Sequence, residues 1–282
     1  MASPKLVVLG GPNSGKTHLA GQIYGRVQRR PGHFRLRKED GTPADISALE
    51  EVLAALESGH AAGHTPSGTW AEIKLPLESD SGARMDLHWP DYGGEQLDDV
   101  FEKRSVPDSW RARLCEAGGW IVLIRLKTET VYSDALEQLV EHAHTKAVPQ
   151  ARAEKWDANA RWVELLQMLL HASGRGAVNR LSRPRLLVLL SCYDELGPAD
   201  EAPMSMLERH LPMLASFLRN TWAGPDLSVW GLSALGRLLT PESTDDDFIN
   251  RGPEFQGWVI HPDGGAQDTD LTAPLGWLSG TV

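Results

Sequence analysis

The sequence predicts an α/β fold with a mostly parallel sheet and helices packed against it. Short, continuous apolar runs alternate along the chain with segments in which apolar residues recur every three or four positions. The chain has 282 residues, of which 41% are hydrophobic and 23% are charged. It is therefore long enough to bury a substantial core, and its composition excludes wholesale disorder and a collagen-like repeat.

Strands are predicted from continuous or alternating apolar runs. A polar turn at residues 78–82 joins two of these runs into a hairpin, so one antiparallel strand is expected beside the parallel ones. The predicted strands are residues 5–9, 70–77, 84–89, 120–126, 185–191 and 227–232.

Helices are predicted where apolar residues follow the helical period. Pro212 marks either a helix start or a kink, because proline cannot donate a backbone hydrogen bond inside a helix. The predicted helices are residues 16–27, 46–56, 133–144, 157–172 and 204–222.

Charge, cysteine content and hydropathy exclude several classes of function. The 28 basic and 38 acidic side chains give a net charge of −10. Binding to nucleic-acid phosphates needs an excess of Lys and Arg, so we do not expect a nucleic-acid partner. Two cysteines, Cys115 and Cys192, cannot form a disulfide framework or a thiolate metal cluster. No apolar run approaches the ~20 residues of a membrane span, and we expect a cytoplasmic protein.

A glycine-rich loop follows the first predicted strand. Residues 10–17 fit the phosphate-binding pattern of Gly, four residues and Gly-Lys-Thr. The glycines let backbone N–H groups point inward, and the following helix directs its positive end at the same point. Lys16 would add charge at the β- and γ-phosphates, and the Thr17 hydroxyl would ligate Mg²⁺. The loop residues predicted to bind nucleotide are Gly10, Gly11, Pro12, Asn13, Ser14, Gly15, Lys16, Thr17 and His18.

The sequence Asp91-Tyr92-Gly93-Gly94 follows the strand predicted at residues 84–89. The Asp91 carboxylate would reach the Mg²⁺ ion, and Gly94 would offer its backbone N–H to a γ-phosphate. By itself this pattern is also typical of a surface turn, which is rich in both residue types.

Two further sites follow the next strands along the chain. Asp194 would accept hydrogen bonds from the N1–H and the 2-amino group of guanine, whereas adenine lacks both donors. By itself Asp194 is equally explained as a helix cap or a loop residue. The small residues in Ser233-Ala234-Leu235 would let backbone N–H groups approach a base oxygen.

These four sites, in this order and each after a predicted strand, resemble those of Ras-like GTPases of the translation-factor-related class. The loop at residues 10–17, the segment at 91–95 and the tail at 273–278 are also similar to the double-GTPase group of bacterial conflict and signalling systems. The resemblance implies the P-loop NTPase three-layer sandwich, here in a single domain of residues 1–282. It also implies a GTP-binding molecular switch with GTP or GDP and Mg²⁺ as ligands. The partner would be a regulator or a second GTPase.

The chain departs from that family at several motif positions, which predicts slow or partner-stimulated hydrolysis. Ser191 and Cys192 stand where the family has Asn or Thr and then Lys, and Leu235 replaces a second Lys. After Gly94 comes Glu95 instead of the Gln that orients water, and Gln96 is one position late.

The resemblance also requires a switch I threonine, for which Thr65 and Thr69 are the candidates. Thr65 is favoured because Pro66 and Gly68 place it in a loop. It would ligate Mg²⁺ with Thr17 and Asp91. The predicted catalytic residues are Lys16, Thr65, Glu95 and Gln96, and Cys192 joins the predicted base-binding residues.

Three segments lie outside a minimal domain of this kind: a long switch I-like insert at residues 29–68, a helical insertion at 127–184 and a loop-rich tail at 240–282. Two other functions remain open. One is an ATP-dependent kinase or ATPase on the same loop, and the other is a nucleotide-binding scaffold that does not hydrolyse.

Overall fold

The structure is a computed structural model that describes residues 5–29, 32–37, 46–63, 72–90, 95–132, 156–176, 179–197 and 201–280. Within these residues, eight strands form one sheet in the order β2-β3-β4-β1-β5-β6-β7-β8. The strands are β1 (Lys5–Gly10), β2 (Phe34–Leu36), β3 (Glu72–Ser79), β4 (Arg84–Pro90), β5 (Gly119–Ile124), β6 (Arg185–Ser191), β7 (Leu227–Ser233) and β8 (Trp258–Ile260).

The sheet is mostly parallel, as predicted. Strands β4, β1, β5, β6 and β7 pair in parallel, whereas β3 runs against β4 and β2 in the predicted hairpin region. Strand β8 adds a further antiparallel pair at the other edge, beside β7. The carboxyl ends of the five parallel strands all lie along the same side of the sheet. Ligands bind beside these strand ends in α/β proteins.

Helices cover both faces of the sheet and give three layers. The core of one face includes side chains of α1 (Lys16–Arg29), α2 (Ser47–Glu57) and α9 (Ala273–Ser279). The other core includes side chains of α3 (Glu95–Lys103), α4 (Asp108–Glu116), α5 (Ala158–Ala172), α6 (Pro203–His210) and α7 (Pro212–Thr221).

Each central strand contributes to both cores, which explains its continuous apolar sequence. In β1, Val7 and Leu9 join the core under α5, whereas Leu6 and Val8 join the core under α1. A strand buried on both faces needs apolar residues at every position, unlike a strand with one solvated face.

Several predicted elements differ from the structure. The helix predicted at residues 204–222 is two helices, because Leu211 leaves the helical conformation and Pro212 begins the second one. The strand predicted at 120–126 ends at Ile124 and is followed by a single helical turn, Leu126–Thr128. The helix predicted at 133–144 lies outside the described residues.

The C-terminal region is more ordered than the predicted loop-rich tail. It contains α8 (Asp246–Arg251), β8 and α9. Arg26 of α1 is buried and donates to the carbonyl oxygens of Thr269, at 2.7 Å, and Gln256. The tail therefore packs against the sheet and α1.

All three expected additional segments contain core elements, the tail at 240–282 through β8 and α9. The segment at 29–68 includes β2 and α2, and the segment at 127–184 includes α5, whose buried side chains pack under the sheet. The described part of the chain contains no helix with the length and apolar character that crossing a membrane requires.

Candidate nucleotide-binding site

The loop between β1 and α1 is closed on itself by its own side chains. Asn13 and Gly15 adopt left-handed backbone conformations with φ of 56° and 77°. Ser14 Oγ donates to the carbonyl oxygen of Gly11 at 2.8 Å. A Cβ atom on Gly10 would lie 2.7 Å from Ser14 Oγ and 3.2 Å from Leu123 Cβ, so this position needs glycine.

The Lys16 ammonium group lies inside this loop. It donates to the carbonyl oxygens of Gly10 at 2.7 Å and Gly11 at 2.8 Å, and it lies 3.2 Å from Ser14 Oγ. The Lys16 residue is buried, whereas Thr17 and His18, in the first turn of α1, are half-buried. The structure therefore combines a glycine cradle, a helix N-terminus and a cation at one point, which fits a bound phosphate chain.

The two predicted base-binding segments are in contact. Ser233, at the end of β7, donates its hydroxyl to Asp194 Oδ1 at 2.5 Å. The same hydroxyl oxygen accepts a hydrogen bond from the Gly236 N–H at 2.9 Å. Asp194 lies in the helical turn that follows β6, and because β6 and β7 are parallel neighbours, both segments reach the same sheet edge. The carboxylate is thus held in one orientation and keeps further acceptor positions.

Cys192 has a left-handed conformation, with φ of 51°, at the start of that turn. Burial raises the pKa of the Cys192 thiol to about 11, so the group is neutral near pH 7. A neutral thiol here cannot supply the positive charge of the Lys that the resemblance leads one to expect.

The residues after Ser233 pack next to the small apolar cluster of α2 and α8. Leu235 packs against a cluster that includes Leu56 and Phe248. Ala234 is half-buried and packs against the core on the α1 face of the sheet. Leu235 therefore has a packing role in place of the charged side chain of the family motif.

Arg125 joins the two halves of the site. It directly follows β5, and its guanidinium donates to Glu195 Oε2 at 3.1 Å and to Glu195 Oε1 at 2.5 Å. A third donor reaches the carbonyl oxygen of Asn13 at 3.4 Å. The hydrogen bond with Glu195 raises the pKa of Arg125, so its charge is permanent.

Sequence reasoning did not assign a role to Arg125 or Glu195. The available signal was a single charged residue near the carboxyl end of the apolar run at 120–126, where ligands bind in α/β sheets. Its partner could not be inferred, because the contact joins residues far apart in the chain.

The remaining predicted residues precede α3 in the chain or belong to its first turn. Thr65, Asp91 and Gly94 lie outside the described residues, so the predicted Mg²⁺ ligands other than Thr17 are not placed. Glu95 is the first residue of α3, and Gln96 is half-buried in its first turn. Within the described ranges, no group of three His, Cys, Asp or Glu residues forms a metal site.

The profile of the family described as Double-GTPase 1 matches residues 7–278. The chain belongs to the Double-GTPase 1 family. This membership agrees with the parallel sheet and with the glycine loop at residues 10–17. No curated protein matches the sequence.

Three solved structures are similar to this chain at low sequence identity and with TM-scores of 0.40 or less. The Arl6 (BBS3) small GTPase of Trypanosoma brucei, bound to a nucleotide analogue, is 13% identical, with a TM-score of 0.39, over 83% of this chain and 88% of that one. A bacterial selenocysteine-specific elongation factor, EF-Sec, is 10% identical, with a TM-score of 0.37, over 83% of this chain and 26% of that one. The SRb-GTP/SRX signal recognition particle receptor complex of Chaetomium thermophilum is 13% identical, with a TM-score of 0.40, over 86% of this chain and 95% of that one.

Proposed function

We propose that this chain is a GTP-binding molecular switch that hydrolyses GTP slowly, or with stimulation by a partner. The observation that carries the proposal is the Asp194–Ser233 pair, which presents an oriented carboxylate after β6 and β7. The phosphate loop follows β1 at the same sheet edge, and Arg125 links the two. A nucleotide with its base at Asp194 and its phosphates in the loop fits this arrangement.

The loop and the first turn of α1 would bind the phosphates. The amides of residues 11–17 and the Lys16 ammonium provide positive charge where the phosphates are most negative. Thr17, Asp91 and Thr65 would ligate Mg²⁺, which supplies charge neutralisation between the β- and γ-phosphates when it is bound.

The base would be selected as guanine. Asp194 can accept both the N1–H and the 2-amino group, whereas adenine would leave the carboxylate without those donors. The hydrogen bond from Ser233 fixes the carboxylate before the base arrives. Cys192, Ala234 and Leu235 would line the base through backbone and apolar contacts.

Hydrolysis would proceed by in-line attack of water on the γ-phosphate, with catalysis by positioning and charge. Gly94 would donate its N–H to the γ-phosphate, and Glu95 or Gln96 would orient the water. Because Glu95 stands at the position of the Ras-like Gln and Gln96 is one position late, we expect slow turnover without a partner. The departures at Cys192 and Glu95 also favour, as a second candidate, a scaffold that binds nucleotide without hydrolysis.

The switch would act as a single domain of residues 1–282, in a bacterial signalling or defence system, on a protein partner such as a regulator or a second GTPase. The order of elements supports this idea, because α3 begins directly after the predicted γ-phosphate contact at Gly94. A change at the γ-phosphate would therefore be transmitted to α3 first.

Equilibrium binding and phosphate release test the proposal together. Wild type, Lys16→Ala and the control Lys103→Ala, an exposed lysine on α3, would be titrated with GTP and GDP in Mg²⁺. We expect tight binding by wild type and by the control, and none by Lys16→Ala. Unchanged affinity of Lys16→Ala would overturn the nucleotide site, and absence of multiple-turnover phosphate release would favour the scaffold.

A further inference from the structure

A cavity of about 470 Å³ lies beside the phosphate loop, between the loop and helices α3 and α5. Residues 11–14 form one wall, and Phe101, Trp156 and Trp162 provide aromatic surface on the others. Among the described residues, neither Asp194 nor Ser233 lines it. The cavity therefore borders the phosphate loop without bordering these two base candidates.

Arg161 of α5 lies at the point where this cavity meets the loop. One guanidinium nitrogen is 3.9 Å from the position that a Cβ atom would occupy on Gly11. The same guanidinium forms an ion pair with Asp98 of α3. The Arg161 side chain is only 21% exposed, so its charge is weakly screened by solvent.

The strand order indicates which end of a nucleotide would face Arg161. The base candidates follow β6 and β7, whereas residues 91–94 follow β4, on the other side of β1. The chain then enters α3, which carries Asp98. A nucleotide whose base lies at Asp194 would thus extend its terminal phosphate toward β4, α3 and Arg161.

We propose that Arg161 is a ligand of the γ-phosphate, supplied by the chain itself from α5. The inference rests on the proposed function. Ras-like enzymes often gain such an arginine from a partner, where it stabilises the charge that develops during hydrolysis. Asp98 would hold the guanidinium at the loop, so that α3 and the γ-phosphate contact the same side chain.

The chemistry needs no further reactant. The water oxygen bonds to the γ-phosphorus while the bond from that phosphorus to the β–γ bridging oxygen breaks. The bonding electron pair stays on the GDP oxygen, and the water proton passes to phosphate or solvent. The guanidinium donates hydrogen bonds to the γ-phosphate oxygens and is not consumed.

Arg125, the other cation in the cavity lining, has a different arrangement. Both of its outer positions are engaged, by Glu195 and by the Asn13 carbonyl. It spans the two loops, whereas Arg161 approaches the phosphate loop from α5. We therefore expect different effects on affinity. Loss of Arg125 should weaken the binding of GTP and GDP alike, whereas loss of Arg161 should weaken the binding of GTP only.

The test compares Arg161→Ala, Arg161→Lys and Asp98→Asn with wild type. The matched control is Glu164→Gln, one turn farther along α5, which removes the ion pair with Arg104, the residue after α3. Dissociation constants for GTP and GDP, binding of GDP with aluminium fluoride, single-turnover hydrolysis and thermal melting would be measured for each protein.

For Arg161→Ala we expect GDP affinity within about twofold of wild type, GTP affinity roughly tenfold weaker and hydrolysis on the order of 100-fold slower. Binding of GDP with aluminium fluoride should be lost, and Arg161→Lys should lie in between, because lysine keeps the charge but not the planar fork. Glu164→Gln should keep the wild-type preference for GTP over GDP. Asp98→Asn should lose less of that preference than Arg161→Ala, because it leaves the guanidinium in place but frees it from its partner.

Two outcomes overturn the inference while the proposed function stands. One is an Arg161→Ala protein with the wild-type ratio of GTP to GDP affinity and the wild-type rate. The other is equal losses in Arg161→Ala and Asp98→Asn with lowered melting temperatures, which is the result of a purely structural ion pair. If wild type binds no GTP, the proposed function itself fails, and the inference fails with it.

Discussion

Arg125 and Glu195 form a two-pronged ion pair that connects the turn after β5 to the turn after β6. Because Arg125 also donates to the Asn13 carbonyl, one guanidinium spans the phosphate loop and the segment that carries Asp194. Both side chains are largely shielded, with 24% and 12% exposed. The pair therefore fixes the separation between the phosphate loop and the segment that carries Asp194.

Replacing Arg125 with Lys should weaken the binding of GTP and GDP to the same extent. Lysine keeps the charge but cannot donate to both Glu195 oxygens and to Asn13 together. We expect a loss of about 1–2 kcal/mol, or roughly tenfold in affinity. Calorimetric titration measures it, with Arg111→Lys on α4, an exposed arginine, as control. A loss confined to GTP would contradict this bridging role.

Removing the Ser233 hydroxyl should relax the choice of base. In Ser233→Ala, Asp194 loses the donor that orients it and Gly236 loses an acceptor. The GTP-to-ATP affinity ratio should fall several-fold, since one hydrogen bond contributes about 1 kcal/mol. Competition binding tests this, with the exposed Ser216→Ala as control. A ratio equal to that of wild type would separate Ser233 from base recognition.

Cys192 should be the slower of the two thiols to alkylate. Its thiol pKa of about 11 leaves little thiolate at pH 8, whereas Cys115 is exposed. Iodoacetamide labelling of Cys115→Ser and Cys192→Ser variants, followed by mass spectrometry, would give each rate. The rate at Cys192 should rise with pH toward about 11 and fall when GTP is added. Fast labelling of Cys192 at pH 7 would contradict the burial of the thiol.

Asp270 should stabilise the fold in a pH-dependent way. It accepts hydrogen bonds from the His33 N–H at 2.8 Å and from the Thr272 hydroxyl at 2.6 Å, which joins the tail to the segment before β2. Burial acts to raise the Asp270 pKa, but hydrogen bonds from Thr272 and His33 outweigh it and the pKa is lowered. This stabilisation is therefore complete above the carboxyl's unfolded pKa and is lost as pH falls through the lower folded pKa.

Asp270→Asn should lower the free energy of unfolding at pH 7 by about 1–3 kcal/mol. The difference from wild type should shrink as the pH is lowered below about 4. Urea unfolding at several pH values measures both effects, with the exposed Asp263→Asn as control. A constant difference across the range would show that the carboxylate charge is not responsible.

The fold and the site could be predicted from the sequence where a local sequence pattern corresponds to a single kind of structure. The loop at residues 10–17 and the buried strands were predictable from sequence. A left-handed backbone at Gly15 favours glycine, and strands buried on both faces are continuous apolar runs. Asp194 was predicted for its carboxylate and Ser233 for its small size, and the parallel pairing of β6 and β7 brings the two residues together. The hydrogen bond from the Ser233 hydroxyl to Asp194 was not predicted.

Helix α4, strand β8 and two ion pairs between distant segments have little or no local sequence signal. Helix α4 buries only Trp110 and Leu114 among charged residues, so it lacks a clear apolar period. Strand β8 has three residues and is defined by its pairing with β7. The contacts of Arg125 with Glu195 and of Arg161 with Asp98 join distant segments, and a single sequence does not encode them locally.

The most direct test of the account is equilibrium binding of GTP and ATP, with Mg²⁺, to wild type and to Asp194→Asn. We predict that wild type prefers GTP by roughly 100-fold or more and that the variant loses this preference, because the amide no longer accepts both guanine donors. Thermal melting of both proteins would show that the fold is retained. Equal binding of ATP and GTP in both proteins would contradict the account and favour an ATP-dependent enzyme on the same loop.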